Sequence, residues 1–397
     1  MIDLSHRVQS LLRMTMTDVA DAADELVDEL GDDVFRLENA DTYLLPPDHV
    51  LDATRGAVGV DDYNSYLPLR GLRVLREAIA SRYEADWGLT YDAEREIVVS
   101  CGAGESMLNS LLALVDQGDR VLLTNPTYSG MAQRVRVADG VQVFTSLQLR
   151  DGRWALDIDD MRARARGCKV LFFASPSMPT GTIFTAEEIT AIAQAALEND
   201  AWLIFNGAAD KVAFDGREVS NPATLPGMRE RTIVIGCMSK NYVMPGWRIG
   251  WALGPRPVML AMENLHIFNG IMASGFAQAG AAAALSGPHD WQQRTVATFA
   301  RGQAALLEEI ATSKRLSAVP AEGGYFCLLD TEGTGLPAVE FAQRLLAEER
   351  VAVTPMQGWG SDDFGEHVVR LIFTNEPEER LREAGRRIAT FAERQPT

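Results

Sequence analysis

Short, nearly unbroken apolar runs recur through the middle of the chain, separated by stretches whose apolar residues fall at helical spacing. The runs Glu96 to Ser100, Arg120 to Thr124, Val141 to Thr145, Lys169 to Ala174, Ala201 to Phe205, Thr232 to Gly236 and Ile249 to Leu253 are predicted strands. Runs of this length with little alternation suit strands buried on both faces of a sheet. Helices are predicted over Glu105 to Val115 and Ala186 to Glu198, with a long helical region from about Pro257 to Glu309. This alternation argues for an α/β fold: a large domain with a mostly parallel sheet covered by helices.

The two ends follow a different pattern. Val8, Leu11, Leu12, Val19, Ala22, Ala23, Leu26 and Leu30 repeat as one face of an amphipathic N-terminal helix. The stretch from about Arg36 to Val60, with Pro46-Pro47, is expected to be irregular, and Leu72, Leu75, Ile79 and Tyr83 predict a further helix. Phe326 to Leu329, Val351 to Val353 and Val368 to Phe373 suit strands of a smaller α+β domain. The expected division is residues 1–50 as an N-terminal helix and segment joining the small domain, 51–290 as the large domain, and 291–397 as the small C-terminal domain.

Composition narrows the function classes. A formal charge of -18 repels nucleic acid and anionic membranes, so neither is an expected partner. Asp18, Asp21, Asp24, Glu25, Asp28 and Glu29 break any signal-peptide pattern in the first 30 residues, and no uncharged apolar run is long enough to span a membrane. The four cysteines, Cys101, Cys168, Cys237 and Cys327, are too dispersed for a zinc site or a disulfide framework. A cytoplasmic protein with reduced thiols and no bound metal is expected.

The chemistry is concentrated in Gly236-Cys237-Met238-Ser239-Lys240-Asn241-Tyr242-Val243-Met244-Pro245-Gly246-Trp247-Arg248-Ile249-Gly250-Trp251. A strand ends, a small-residue turn presents Lys240, and a Pro-Gly turn delivers Arg248 eight residues later. An amine that is partly deprotonated near neutral pH attacks aldehydes, and desolvation with nearby positive charge brings a lysine into that range. A guanidinium fork suits a phosphate. Cys101-Gly102-Ala103-Gly104-Glu105 follows a strand and opens a helix, where free N–H groups and the helix dipole favour an anion.

This string resembles the lysine segment of class I/II aminotransferases, S-x-x-K continued by PG-x-R-x-G-W, and the resemblance runs over nearly the whole chain. It implies fold type I, pyridoxal 5'-phosphate (PLP) as cofactor, Lys240 as the catalytic Schiff-base lysine, an amino-acid substrate and a homodimer. Gly102, Ala103 and Gly104 are similar to the family's phosphate loop, and Arg248 to its phosphate arginine. Tyr66, in Tyr66-Leu67-Pro68-Leu69-Arg70-Gly71 with Leu75-Arg76, looks like the tyrosine that reaches the phosphate of the neighbouring subunit's cofactor. Tyr128, in Asn125-Pro126-Thr127-Tyr128, looks like the aromatic residue stacked on the pyridine. Ser175-Pro176-Ser177-Met178-Pro179-Thr180-Gly181 resembles the NPxNPTG segment, and Arg370, in Val369-Arg370-Leu371, the arginine that grips the substrate carboxylate. Asn39, Tyr43, His266, Phe268 and Tyr325 are candidates for the pocket wall, which would draw on loops 38–45, 267–274 and 357–363.

The departures from the family pattern cluster around the cofactor ring. Met178 stands where an asparagine would bond the ring hydroxyl, and a thioether does not donate. Asn206 stands where an aspartate would keep the pyridine nitrogen protonated, and Ala209 where a tyrosine would donate to the ring hydroxyl. Cys237 replaces the serine three residues before the lysine, a poorer phosphate donor. Asp210, a nearby carboxylate, is expected on a surface loop or first helical turn. These changes open alternatives to simple transamination: a PLP lyase, a decarboxylating oxidative deaminase or a cyclase of natural-product biosynthesis. The segment Phe205-Asn206-Gly207-Ala208 with Asp215-Gly216 is similar to that of capreomycidine-synthase-like members, and enzymes of lincosamide biosynthesis are a further comparison. A non-catalytic binding member of the fold is the remaining alternative.

Overall fold

The computed structural model describes residues 5–9, 11, 15–361 and 364–396. Its centre is an eight-stranded sheet built from β1 (Ile97–Ser100), β2 (Arg120–Asn125), β3 (Val141–Arg150), β4 (Arg153–Leu156), β5 (Cys168–Ala174), β6 (Trp202–Asn206), β7 (Thr232–Cys237) and β8 (Gly250–Leu253). The order across the sheet is β1-β8-β7-β6-β5-β2-β3-β4. β7, β6, β5, β2 and β3 run parallel, while β8 is antiparallel to both its neighbours and β4 antiparallel to β3.

Alternate side chains of the central strands leave for opposite faces. Leu171, Phe173, Leu203, Phe205 and Val234 enter one core, and Val170, Phe172, Ile204, Ile233 and Ile235 enter the other. Helices cover both faces, which is why these strands read as continuous apolar runs. The helix Ala186–Glu198 begins at a capping box: Thr185 accepts from the Glu188 N–H, and the Glu188 carboxylate accepts from the Thr185 N–H.

The stretch expected to be irregular between Arg36 and Val60 contains a helix, Asp48–Val58, which spans the anticipated domain boundary at 50/51. Its inward face is Val50, Ala53, Thr54 and Ala57, at helical spacing, and Pro47 takes its N-cap. The long helical region resolves into Arg256–Asn269, Gly275–Ser286 and Asp290–Ile310. The N-terminal helical pattern falls on His6–Gln9 and Thr15–Leu30, with Leu12 outside the described residues. Val19 and Ala23 of the second piece pack with Val34, Leu346 and Ala352. Phe35 and Arg36 pair with Val351 and Ala352 in a parallel bridge, so the N-terminal segment is stitched to the C-terminal part of the chain. The strands Ser317–Val319, Phe326–Asp330, Thr354–Pro355 and Val368–Ile372 form a separate antiparallel sheet. Among the described residues, no helix is long and apolar enough to cross a membrane.

Candidate active site

Carboxyl ends of neighbouring parallel strands, where loops diverge, are the usual place for a cleft in an open α/β sheet. Here Ala174 ends β5, Asn206 ends β6 and Cys237 ends β7, and all three line one cavity of about 320 Å3. Ala103 and Gly104 open the helix α1 (Ala103–Leu114) on its wall, joined by Tyr128, Met178, Ser239, Lys240, Arg248 and Asn39.

Lys240 sits three residues past the end of β7. Its Nζ donates to the Ala40 carbonyl and lies 4.6 Å from the centre of the Tyr325 ring. Burial pushes its pKa down to about 8, opposed by Cys237 and Asp41 and reinforced by the positive charges of Arg370 and Arg248. The Tyr325 hydroxyl donates to the Lys240 carbonyl at 2.8 Å, and Gln292 Nε2 donates to the Asn241 carbonyl at 2.9 Å, so the backbone carrying the amine is held from two distant segments. Tyr325 therefore belongs to the site.

Arg248 adopts a left-handed backbone (φ 53°) at the end of the Pro-Gly turn. Its Nη1 donates to the Pro245 carbonyl at 2.9 Å and to Ser239 Oγ at 3.5 Å. The guanidinium occupies the space a side chain on Gly102 would fill, and Gly102 (φ +86°) has the backbone only glycine adopts readily. Thus the glycine loop before α1 and the arginine meet because one position lacks a side chain.

Asn206 is buried, and its orientation is fixed: the Ala208 N–H donates to Oδ1 at 3.1 Å. A backbone N–H bonds the amide oxygen, so Nδ2 is the atom left to donate. Cys237 turns its thiol toward the Ala208 carbonyl, 3.9 Å away. Met178 and Ala209 line the same cavity and offer no donor to a ring hydroxyl.

Arg370 is fully buried but does not itself line the cavity. Its Nη2 donates to the Glu38 carbonyl at 2.6 Å and to Thr354 Oγ1 at 3.3 Å, and its guanidinium stacks 4.6 Å from the centre of the Trp359 indole. It also faces the ring of Phe326, a lining residue, at 5.8 Å. Burial lowers its pKa to about 10, against the opposing influence of Tyr128 and Glu38.

Other sequence candidates lie elsewhere. Tyr66 is 84% exposed and off the cavity wall of its own chain, and Phe268 is 89% exposed. Tyr43 is partly exposed, and His266 is buried with Nδ1 2.5 Å from Glu105 Oε1; neither lines the cavity. Of the loop 357–363, residues 362 and 363 lie outside the described residues. Asp210 corrects the surface expectation: it is buried, accepts from Asn241 Nδ2 at 2.7 Å, and burial pushes its carboxyl up to about 7. It faces away from the cavity, into a cluster with Arg82, Asp86 and Lys211, and does not replace a carboxylate at Asn206.

Among the described lining residues not proposed for the site from sequence, three are polar or charged. Ser239 stands beside Lys240 in the string already singled out. Asp41 follows Asn39 closely and influences Lys240 through charge. Arg134, from the helix α2 (Ser129–Val137), has no local motif around it and reaches the site only through the fold.

Comparisons with known proteins identify the family. The family model for aminotransferase class I and II matches residues 32–388. The chain is 28% identical over 367 residues to the aspartate aminotransferase of Geobacillus stearothermophilus, covering 91% of this chain and 92% of that protein. It is 30% identical over 365 residues to an arginine–pyruvate transaminase of Pseudomonas aeruginosa, with 92% and 91% covered. The solved N-succinyldiaminopimelate aminotransferase from Mycobacterium tuberculosis superposes with a TM-score of 0.91 at 26% identity, covering 98% of this chain and 100% of that one.

Proposed function

The chain belongs to the class I and II aminotransferases, and on that premise we propose that its cavity binds PLP on Lys240 and transfers the amino group of an α-amino acid. Family membership and named transaminase relatives make it an enzyme and set aside the non-catalytic alternative. The residues fit the cofactor: a desolvated amine, a guanidinium and free helix-start amides, and a fixed amide donor share one cavity. The observation that carries the reading is Lys240, whose pKa of about 8 leaves a nucleophilic fraction at neutral pH.

When bound, the cofactor supplies an aldehyde for the amino group and an electron-withdrawing ring for the bond broken at Cα. Arg248, with Ser239 and the amides of Ala103 and Gly104, holds the phosphate. Tyr128 would hold the cofactor's ring, and Asn206 Nδ2 would supply it a neutral hydrogen-bond donor. Lys240 Nζ, buried in the cavity with its pKa lowered to about 8, would take a proton from the substrate's Cα and give it back later in the reaction. Arg370, held by Trp359, Thr354 and Glu38 behind the lining residue Phe326, would take the α-carboxylate, and Asn39 would border the substrate's approach. The exposed Tyr66 reaches the cofactor phosphate of a second subunit in a homodimer, and the exposed Phe268 and Leu45 supply apolar surface for that contact.

Borohydride reduction of the PLP-loaded protein followed by peptide mapping is expected to place the pyridoxyl tag on Lys240. A tag elsewhere, or none, removes the reading. The rate of PLP capture by the apo-protein is expected to rise with pH up to about 8 and then level, since the neutral amine is the reactive form. A flat profile from pH 6 to 9 would mean that another group limits capture. For Arg370→Lys, loss of the planar fork is expected to raise KM for the amino donor roughly 10-fold with a smaller change in kcat. An unchanged KM would place the carboxylate elsewhere.

A second reading, PLP chemistry with a lyase, oxidative-deaminase or cyclase outcome, is favoured by one observation. Asn206, Met178 and Ala209 together leave the ring without a charged partner or a hydroxyl donor at those positions. Product analysis with a panel of amino acids separates the two. Conversion of an amino donor to its keto acid, with the amino group retained on the cofactor, supports transamination; release of ammonia or carbon dioxide supports the second reading.

A further inference from the structure

Two glycines flank Ala103 at the start of α1, and a guanidinium stands where each side chain would be. Arg248 occupies the space over Gly102, and a Cβ on Gly104 would fall 2.9 Å from Arg134 Nη2. Arg134 is anchored by two backbone carbonyls: Nε donates to Gly104 at 3.0 Å and Nη1 to Gly130 at 2.7 Å. Its guanidinium lies 5.8 Å from the centre of the Tyr128 ring. Those contacts fix the fork and leave Nη2 uncommitted at the cavity wall, which Arg134 lines. Among the described residues these contacts include no carboxylate, although the chain carries a net charge of -18.

We propose that Arg134 is a second guanidinium for the cofactor's phosphate, acting with Arg248 from the other side of Ala103. This rests on the assignment of the cavity to PLP. Arg248 already donates from Nη1 to Pro245 and Ser239, and the Cys237 thiol is turned toward the Ala208 carbonyl. A dianionic phosphate with three acceptor oxygens therefore has room for a further charged donor, and Arg134 presents one at the first turn of α1. The missing side chain at Gly104 is what admits it.

The test is titration of the apo-protein with PLP and with pyridoxal, which lacks the phosphate, followed by the bound cofactor's visible absorbance. For Arg134→Met, PLP affinity is expected to fall about 10-fold or more, the size of one charge-assisted hydrogen bond, with pyridoxal affinity unchanged. Arg134→Lys should recover part of the loss, because it restores charge without the fork. Gly104→Ala should reproduce the loss by crowding Nη2, and the phosphorus NMR signal of bound PLP should shift in each variant. Unchanged PLP affinity in Arg134→Met overturns the proposal, as does an equal loss for PLP and pyridoxal, which marks a role in holding the fold. If the wild type carries the pyridoxyl tag on Lys240 while Arg134→Met binds PLP normally, only this inference fails. A wild type that binds no PLP takes the cofactor assignment down with it.

Discussion

Lys240→Ala is expected to lose turnover by at least about 10³-fold, because one side chain is both the attachment point for the aldehyde and the base at Cα. The same variant should remain folded, and its apo-form should melt no lower than the wild-type apo-form. Burial, only partly offset by Cys237 and Asp41, lowers the folded pKa of Lys240 from the usual 10.5 to about 8. Between those values the unfolded chain binds the proton and the folded chain does not, so stability rises with pH across that window. Below about 8 both states are protonated, and the folded state bears the full cost of a desolvated ammonium, about 3 kcal/mol. Alanine removes that cost and gives up the bond to Ala40 and the contact with Tyr325 in exchange. Steady-state rates together with apo-protein melting at pH 7 and pH 10 check both halves. Retained turnover would remove Lys240 from its role. A melting point well below that of the wild type at pH 7 would mean that the amine's local contacts outweigh its desolvation.

Much of the site was legible in the sequence because its critical parts are close along the chain. Lys240 and Arg248 are joined by one turn, and Gly102, Ala103 and Gly104 form a single loop at one helix start, so local pattern sufficed. The strands β5, β6 and β7 were legible as apolar runs, but their order and register were not, because strands buried on both faces lack the alternation that fixes register. What stayed hidden depends on distant partners. Arg134 reads as an ordinary helical surface residue until the fold carries it to Gly104, thirty positions away. Asp210 reads as a surface carboxylate because its polarity is visible, whereas Asn241, which makes its burial tolerable, lies 31 residues further on. The helix Asp48–Val58 was masked by the Pro46-Pro47 pair and the glycines around it, although Val50, Ala53, Thr54 and Ala57 carry helical spacing. Trp359, which stacks on Arg370, lies in a loop whose position no periodicity predicts.

Asn206→Asp is expected to raise the rate of transamination about 100-fold, the scale of one preorganised electrostatic partner at a developing charge. In the native protein the Ala208 N–H fixes the amide oxygen and leaves Nδ2 to donate into the cavity. A donor at that position matches an unprotonated ring nitrogen, which draws electrons from Cα less strongly than a protonated one. Aspartate keeps an acceptor for the Ala208 N–H and turns its second oxygen, now charged, toward the ring. That carboxylate favours the protonated nitrogen and should shift the visible spectrum of the bound cofactor. The apo-variant should lose stability, since a carboxylate confined at this buried strand end has no cation until PLP arrives. PLP should restore it, so the melting-point gain on binding should exceed that of the wild type. If the native enzyme releases ammonia or carbon dioxide instead of transaminating, the substitution should move product toward the keto acid, because a charged residue 206 would restore the partner that favours the protonated ring nitrogen. An unchanged rate, spectrum and binding gain would show that Asn206 does not face the ring nitrogen, and the loss of the charged partner would then have no bearing on what this enzyme makes.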